Sequence, residues 1–147
     1  LGDVYKRHGQ PEADFFGEKD YQHYFVIKKM TESLKLNTRI ICVKTVRDRN
    51  GLPLSSRNSY LSGQEFKIAI KINKLLKKLP PLIRTKLKIN KILNHTKKVL
   101  IDHGVDKIDY LTVLNDDLSV RKKISDKSRI FTAAKIGNTR LIDNIKI

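Results

Sequence analysis

The sequence predicts an α/β fold in which a β-α-β unit precedes a small α+β domain. Up to about residue 46, an apolar strand, an amphipathic helix and a second apolar strand follow one another. After residue 60, two helical stripes are followed by three strand-like stretches. The chain of 147 residues can hold one ordinary domain, or one small domain plus part of another. We therefore predict two parts, residues 1–60 and residues 61–147.

The β-α-β unit is predicted from residues 13 to 46. Residues 13–16 indicate the end of a short buried strand, and Asp20 is expected to cap a helix running to about Leu36. The apolar side of this helix consists of Tyr24, Ile27 and Leu34. Residues 39–46 are apolar and β-branched, which is typical of a strand covered on both faces. The two strands should be parallel and joined by a right-handed crossover.

The second part is predicted to contain two helices and three strands. The first helix should begin near Ser62 and end at Pro80-Pro81, because proline disrupts a helix interior. Gly104 is well placed to close the second helix. The apolar stripe of that helix consists of Ile89, Ile92, Leu93, Val99 and Leu100. Strands are expected at residues 108–114, 129–135 and 139–145, and we expect them to pair antiparallel.

The net charge of +16 raises the alternative of a basic nucleic-acid-binding module. The basic residues are spread along the chain, however, and no basic block carries interleaved aromatic residues of the kind that stack bases. Lysine, isoleucine and asparagine are all abundant and share A/T-rich codons, so genome composition also raises the lysine content. A solvated basic surface is the favoured interpretation. A catalytically silent interaction domain is a second alternative.

Cysteine and hydropathy patterns indicate a cytoplasmic protein. Cys42 is the sole cysteine, so no internal disulfide forms, which fits a reducing compartment. No apolar run is long enough to span a bilayer, and no signal-peptide pattern opens the chain. The four histidines show no metal-ligand spacing, and we expect no metal ligands in this chain. His95 and His103 are expected to face solvent or to pack on a helix.

Two loops are predicted to form a polyphosphate cradle. Loops that leave the carboxyl ends of parallel strands share one edge of a sheet, so residues 17–20 and 47–58 should meet in space. Gly17 allows close backbone approach, the helix start near Asp20 offers free N–H groups, and Lys19 adds a mobile positive charge. The facing loop, which has Asn50-Gly51 as its turn signal, offers hydroxyl groups and a guanidinium fork. These donors are Ser55, Ser56 and Arg57.

Both loops also have purely structural interpretations. A Gly-Glu-Lys-Asp tetrapeptide is usually a surface turn, and a Ser-Ser pair is usually a helix or turn cap. The glycines form no Walker-type loop and no dinucleotide fingerprint, and Ser55-Ser56 lacks the strand–turn–helix context of a nucleophile elbow. The pairing of both loops at one predicted sheet edge favours the phosphate site.

Three motifs resemble one known family. FGEKDYQ, then VRDRNGLPLSSRNSYL about thirty residues later, and the terminal AAKIGNTRLIDN are similar to the C-terminal half of the pantothenate synthetase (pantoate–β-alanine ligase) family. The resemblance runs from about Pro11 to Ile147. It implies the end of a Rossmann-like parallel-sheet nucleotide-binding domain followed by a small α+β C-terminal domain over the site. The LSSRN loop would correspond to the Lys-Met-Ser-Lys-Ser loop of class I aminoacyl-tRNA synthetases.

The resemblance implies an ATP-dependent ligase of the coenzyme A pathway, with ATP, pantoate and β-alanine as substrates and Mg²⁺ assisting. It implies ATP binding by Gly17, Glu18, Lys19, Asp20, Val46, Leu54, Ser55, Ser56 and Arg57. It implies catalytic roles for Lys19, Ser55, Ser56 and Arg57, and contact with pantoate at His23. The complete enzyme would be a cytoplasmic homodimer that spans no membrane, and nucleic acid is not expected as a partner.

The sequence departs from the family pattern at three places. The His-x-Gly-His-type motif, the magnesium-binding acids and much of the pantoate pocket, which belong to the family's N-terminal half, are absent from these 147 residues. The stretch VYKRHGQ before Pro11 is more polar than the helix expected there. His23 stands where the family usually has glutamine, and the alternative to pantoate contact is that it packs outward and touches nothing. We expect the isolated chain to be inactive, because half of the site is missing.

Overall fold

The computed structural model describes residues 11–85, 88–120 and 124–147. The polar stretch before Pro11 lies outside the described residues. The chain divides into two compact units, Leu1–Thr45 and Val46–Ile147. These units reflect packing alone, so the boundary near residue 60 stays a prediction.

The first unit is the predicted β-α-β unit. Strand β1 (Ala13–Gly17) is followed by a 3₁₀ turn (Glu18–Asp20), helix α1 (Tyr21–Ser33) and strand β2 (Arg39–Val43). The two strands pair in parallel, from Ala13 opposite Arg39 to Gly17 opposite Val43. Parallel pairing of strands joined through a helix confirms the α/β class of this part of the chain.

Helix α1 is shorter than predicted at its C-terminus. Lys35 adopts a left-handed conformation with φ of +50°. The Leu36 N–H donates to the Thr31 carbonyl and the Lys35 N–H to the Glu32 carbonyl, both at 3.1 Å. These two bonds form a Schellman motif, which satisfies the last carbonyls and stops the helix before Leu36. Leu34 is 49% exposed, so its predicted place on the buried apolar side is wrong.

Two further expectations for the first unit are wrong. Asp20 precedes α1 but its side chain makes no capping hydrogen bond, because a 3₁₀ turn rather than an extended residue leads into the helix. The strand predicted over residues 39–46 ends at Val43, and it is not covered on both faces, since Cys42 and Val43 are exposed. Within the described residues, β2 pairs with β1 alone, so few neighbours are available to bury it.

The second unit has the predicted α+β order. Helices α2 (Gly63–Arg84) and α3 (Ile89–Asp102) precede strands β3 (Lys107–Asn115), β4 (Ser128–Ile136) and β5 (Thr139–Lys146). The strands form an antiparallel sheet in the order β3-β4-β5. All three predicted strands are therefore confirmed, each one residue longer than expected at one or both ends.

Helix α2 begins with a capping box. The Ser62 hydroxyl accepts from the Glu65 N–H at 3.3 Å, and the Glu65 carboxylate accepts from the Ser62 N–H at 2.7 Å. The prediction that Pro80-Pro81 ends this helix is wrong, because α2 continues to Arg84 with both prolines inside it. The extra turn places Ile83 in the core, fully buried. Burial of such a side chain contributes about 1.5–3 kcal/mol, enough to offset much of the roughly 3 kcal/mol cost of an interior proline.

Helix α3 ends as predicted at Gly104. This residue has φ of +97°, and the Val105 N–H returns to the Leu100 carbonyl at 3.1 Å. A Cβ at Gly104 would approach the Ile68 side chain to 2.9 Å, so both the conformation and the close packing require glycine.

The core of the second unit lies between the two helices and the sheet. It also includes Leu52 from the loop that opens the unit. The large aliphatic side chains that are fully buried in it are Leu76, Ile83, Leu100, Val105, Ile130 and Ile136. In the part of the chain that the structure describes, no helix is long and apolar enough to cross a membrane.

Candidate functional site

The first group of candidate residues lies at the carboxyl edge of the parallel sheet. Gly17 is the last residue of β1 and pairs with Val43 at the end of β2. Apart from Gly17 and its two chain neighbours, no atom of the described residues lies within 4 Å of the position that a Gly17 Cβ would take. The backbone is thus open at the point where a ligand would approach it. In open α/β sheets, ligands bind at this edge.

The 3₁₀ turn after Gly17 is connected to the end of the second strand. The Glu18 carboxylate accepts a hydrogen bond from the Thr45 N–H at 3.4 Å, a contact between residues 27 positions apart. Glu18 and Lys19 are half-buried, whereas Asp20 is exposed. Because the Asp20 carboxylate does not cap its own helix, it is available to accept hydrogen bonds from a ligand.

His23 lies in the first turn of α1 and is exposed. Its imidazole ring packs against the Phe16 ring, with centroids 5.5 Å apart and planes tilted by 55°. His23 is therefore exposed but not free of contacts. Whether it contacts pantoate stays a prediction.

The second group of candidate residues follows a tight loop at the start of the second unit. The Asp48 carboxylate accepts from the backbone N–H groups of Asn50 at 2.8 Å and Leu52 at 2.9 Å. Gly51 adopts φ of +85° and donates to the Asp48 carbonyl at 2.9 Å. The predicted Asn-Gly turn is confirmed.

Val46 and Leu54 form an exposed apolar pair across this loop. The Leu54 N–H donates to the Val46 carbonyl at 2.9 Å, beside an antiparallel bridge between Arg47 and Pro53. Directly opposed residues point to the same face of such a pair. Both side chains are more than half exposed, at 64% for Val46 and 55% for Leu54. They offer a flat apolar surface of the kind that a planar base can cover.

The serines and Arg57 form the start of a 3₁₀ turn (Ser56–Tyr60). The Ser55 hydroxyl accepts from the Arg57 N–H at 3.2 Å, which is the turn-capping role typical of a Ser-Ser pair. An accepting hydroxyl retains its own proton, so Ser55 can still donate. Ser56 and Arg57 are exposed. Capping and phosphate contact are thus compatible roles for this turn.

Arg57 lines an open cavity of about 490 Å³ within the second unit. The cavity is formed by Arg57, Tyr60, Glu65, Asn138, Thr139 and Arg140. Arg140 donates from Nε to the Asp109 carboxylate at 2.7 Å. This hydrogen bond holds the pKa of Asp109 below its usual value and raises the pKa of Arg140. Arg140 is therefore charged, and the cavity carries two guanidinium groups beside one carboxylate.

Sequence reasoning missed the residues that support this loop. Arg47 donates two hydrogen bonds to Asp143 of β5, and Asn73 of α2 donates a third. Arg47 belongs to the VRDRNGLPLSSRN motif and Asp143 to the TRLIDN motif. Their places in these motifs were the sequence feature that could have indicated a role for them. Their pairing could not be read from the sequence.

The remaining polar candidates stay outside these groups. His95 and His103 are exposed, as expected, and the His103 ring contacts the Val99 carbonyl through Nδ1 at 2.6 Å. Cys42 is exposed. Among the residues that the structure describes, no cluster of three or more His, Cys, Asp or Glu side chains could hold a metal ion. The two groups of candidate residues belong to separate units, and their meeting in one site stays a prediction.

Comparison with known proteins identifies the family. The family model described as pantoate-beta-alanine ligase matches residues 7–146. Pantothenate synthetase of Bradyrhizobium sp. (strain BTAi1) is 39% identical over 140 residues, and that of Buchnera aphidicola subsp. Acyrthosiphon pisum (strain Tuc7) is 41% identical over 145 residues. Each alignment covers 94% of this chain and 49% of the relative. The chain therefore spans about half the length of the curated relatives it matches.

Solved structures agree with this assignment. Pantothenate synthetase from Thermus thermophilus superposes with a TM-score of 0.88 at 29% identity, covering 99% of this chain and 53% of that chain. Pantoate-beta-alanine ligase from Francisella tularensis, complexed with beta-gamma ATP and beta-alanine, gives a TM-score of 0.70 at 32% identity. This superposition covers 96% of the present chain and 46% of the Francisella chain. The fold is thus that of an α/β ligase with a small α+β part. The chain belongs to the pantoate–β-alanine ligase family.

Proposed function

We propose that this chain carries the ATP-binding loops of a ligase that condenses pantoate with β-alanine to give pantothenate, AMP and pyrophosphate. The observation that supports this most is the family match over residues 7–146, which includes both candidate loops. The Francisella relative binds beta-gamma ATP and beta-alanine, which supports these two substrates for the present protein. The comparisons lend no support to the nucleic-acid-binding alternative.

The proposed reaction has two steps. The pantoate carboxylate attacks the α-phosphorus of ATP, which forms pantoyl adenylate and releases pyrophosphate. The β-alanine amine then attacks the adenylate carbonyl, which forms pantothenate and releases AMP. Because ATP supplies both leaving groups, the protein needs no nucleophile of its own. Positioning and charge stabilisation are therefore the roles left to its residues.

The loop at the sheet edge is proposed to bind ribose and phosphate. Gly17 offers an open backbone position, and the exposed Asp20 carboxylate accepts hydrogen bonds from ribose hydroxyls. Lys19 provides a mobile ammonium group for the phosphates. Glu18 holds the turn against the end of β2 through the Thr45 N–H. His23 is proposed to contact pantoate from the face of its ring that does not pack on Phe16.

The second loop is proposed to bind adenine and the polyphosphate. The backbone of Val46 is proposed to hold adenine, and the exposed Leu54 lies alongside the phosphates. The Ser55 and Ser56 hydroxyls donate to phosphate oxygens, and the exposed guanidinium of Arg57 binds them with two parallel donors. Arg57 therefore has the geometry to hold pyrophosphate as it departs. We propose that both loops contribute to one ATP site.

Magnesium and assembly follow from the resemblance. We propose that Mg²⁺ assists the reaction, and we assign no reaction step to the ion. Among the described residues, no group of three or more His, Cys, Asp or Glu side chains could hold it. We propose that the complete ligase is a cytoplasmic homodimer.

The proposal is tested with a hybrid ligase, in which residues 11–147 are joined to the N-terminal half of the Buchnera relative. We expect this hybrid to form pantothenate only when ATP, pantoate and β-alanine are all present. The isolated chain, assayed in parallel, should form none above an ATP-only control. A folded hybrid that forms no pantothenate contradicts the proposal. An isolated chain that forms pantothenate contradicts the expectation that half of the site is inactive on its own.

A further inference from the structure

A bidentate ion pair fixes the base of the second loop. The Arg47 guanidinium donates from Nη1 to Asp143 Oδ2 at 2.9 Å and from Nη2 to Asp143 Oδ1 at 2.8 Å. The Asp143 side chain is only 6% exposed and that of Arg47 only 21%. Paired parallel bonds of this length, shielded from water, define both the distance and the orientation of the guanidinium plane.

The Asp143 carboxylate accepts further hydrogen bonds from within the described part of the unit. Besides the two bonds from Arg47, Oδ2 accepts from the Asn73 side-chain amide at 3.0 Å, and Oδ1 accepts from the Asn144 backbone N–H at 2.8 Å. The carboxylate is thereby held by helix α2 and by its own strand at once. Its position is set independently of the loop, so it is a fixed anchor for Arg47.

Arg47 connects the turn of the loop to the same anchor. Arg47 Nη1 also donates to the Gly51 carbonyl at 3.1 Å. At Gly51 a Cβ would lie 2.7 Å from Asn73 Oδ1, which shows how closely the turn approaches α2. One guanidinium therefore joins the turn of the loop to β5.

The fixed base is directly connected to the phosphate-binding residues. Pro53 forms the bridge opposite Arg47, and its carbonyl accepts from the Asn58 side-chain amide at 2.9 Å. The Ser56–Tyr60 turn, which contains Arg57, also packs on β5. The orientation of Arg57 thus depends on a short path that begins at the Arg47–Asp143 pair.

We propose that Arg47 and Asp143 are positioning residues that fix the Ser55–Arg57 turn for phosphate binding. The part of this inference that concerns ATP binding rests on the proposed function. The part that concerns the conformation of the loop does not. Neither residue needs to touch the ligand. If the ion pair had only a structural role, it would stabilise the whole second unit, and its removal would affect the loop no more than the rest of the unit.

Amide hydrogen exchange separates the two roles. We compare Asp143→Asn and Arg47→Met with Asp109→Asn. This variant is a matched control, because Asp109 forms another ion pair between two strands of this unit, with Arg140. Exchange is followed at the loop amides of Gly51, Leu54 and Asn58 and at the β4 amides of residues 130–134. ATP affinity is measured on the same 147-residue proteins by NMR titration.

We expect exchange at the loop amides to rise about tenfold or more in Arg47→Met and Asp143→Asn, while exchange in β4 and in the control changes less than about threefold. The ATP dissociation constant should rise about tenfold in the same two variants. Arg47→Lys should recover only part of both effects, because a point charge cannot reproduce the fork.

Three results in Arg47→Met and Asp143→Asn would overturn the inference. The first is amide exchange in the loop that stays within about twofold of wild type, and the second is exchange that rises by the same factor in the loop and in β4. The third is loop exchange that rises while the affinity for ATP is unchanged. Failure of the wild-type chain to bind ATP contradicts the proposed function instead. In that case the exchange data alone decide whether the pair fixes the loop.

Discussion

Arg47 and Asp143 lie 96 positions apart in the sequence and meet through two hydrogen bonds of 2.9 and 2.8 Å. Each residue belongs to one of the motifs that carry the family resemblance. The contact joins a motif near the start of the second unit to a motif at its end. One contains the turn proposed to bind phosphate, and the other contains Asp143, which accepts both hydrogen bonds from Arg47.

Arg57 is predicted to act mainly in the first reaction step. Its fork binds charge that rearranges as pyrophosphate leaves, so its contribution should be larger in the transition state than in the ground state. In the hybrid ligase, Arg57→Ala should lower the rate of adenylate formation roughly a hundredfold, and Arg57→Lys should recover only part. Pyrophosphate release in single-turnover experiments measures this rate.

The matched control for this prediction is Arg49→Ala. Arg49 is exposed in the same loop, and no phosphate role is assigned to it. This variant should stay close to wild type. The phosphate role of Arg57 fails if Arg57→Ala releases pyrophosphate within about twofold of the wild-type rate.

His23 is predicted to contact pantoate. Its imidazole offers a hydrogen-bonding group to the pantoate carboxylate, and a glutamine side chain also offers a donor and an acceptor. In the hybrid ligase, His23→Ala should raise the KM for pantoate about tenfold, the scale of one hydrogen bond to a charged group, and His23→Gln should recover part of that loss. His95→Ala, a change of an exposed helical histidine, serves as the control. A pantoate KM that is identical in His23→Ala and wild type shows that His23 does not bind pantoate.

Asp109 is predicted to make the second unit sensitive to acid. Its hydrogen bond from Arg140 holds its pKa below the usual 3.8, so the unfolded chain takes up the proton more readily than the folded chain. The stabilisation is therefore present at neutral pH and is lost as pH falls through the lowered folded-state pKa. Asp109→Asn should lower the melting temperature at about pH 7 and should lower it less at about pH 3. The exposed Asp126 provides the control variant, Asp126→Asn. An equal loss of melting temperature at both pH values would contradict the assignment.

Gly51 is predicted to be intolerant of a side chain. It has φ of +85°, and a Cβ would lie 2.7 Å from both Asn73 Oδ1 and Lys77 Nζ. Gly51→Ala should lower the free energy of unfolding by about 1–3 kcal/mol, the usual range for a residue held in an unfavourable backbone region. Gly63→Ala is the control, because no described atom lies within 4 Å of its Cβ position. Urea unfolding of both variants measures the difference, and equal midpoints would refute the prediction.

Much of the fold could be predicted because the signals are local. The parallel strands, the three antiparallel strands and the Gly104 helix end follow from apolar periodicity and turn residues, which act over a few positions. The Pro80-Pro81 prediction failed because burial of Ile83 in the core outweighs a local proline effect. The predicted end near Leu36 failed because Lys35 takes a left-handed conformation that its residue type does not favour.

The candidate site could be predicted only in part. The motifs identified the residues of both loops, and the structure shows their exposure, capping and local contacts. The Arg47–Asp143 anchor depends on strand order and sheet register, which bring residues from opposite ends of the unit together. No local pattern in either segment specifies which partner it will meet.

The most direct test of the central claim is an NMR titration of the isotope-labelled chain with ATP. If the chain carries the ATP-binding loops, amide shifts should change at residues 17–20 and 54–57, with a dissociation constant on the order of 1 mM or tighter. Lys19→Ala and Arg57→Ala should weaken that binding, whereas Arg49→Ala should not. Shift changes that are confined to the exposed lysines of α2 would contradict the account. The absence of any shift change at an ATP concentration of about 10 mM would also contradict it.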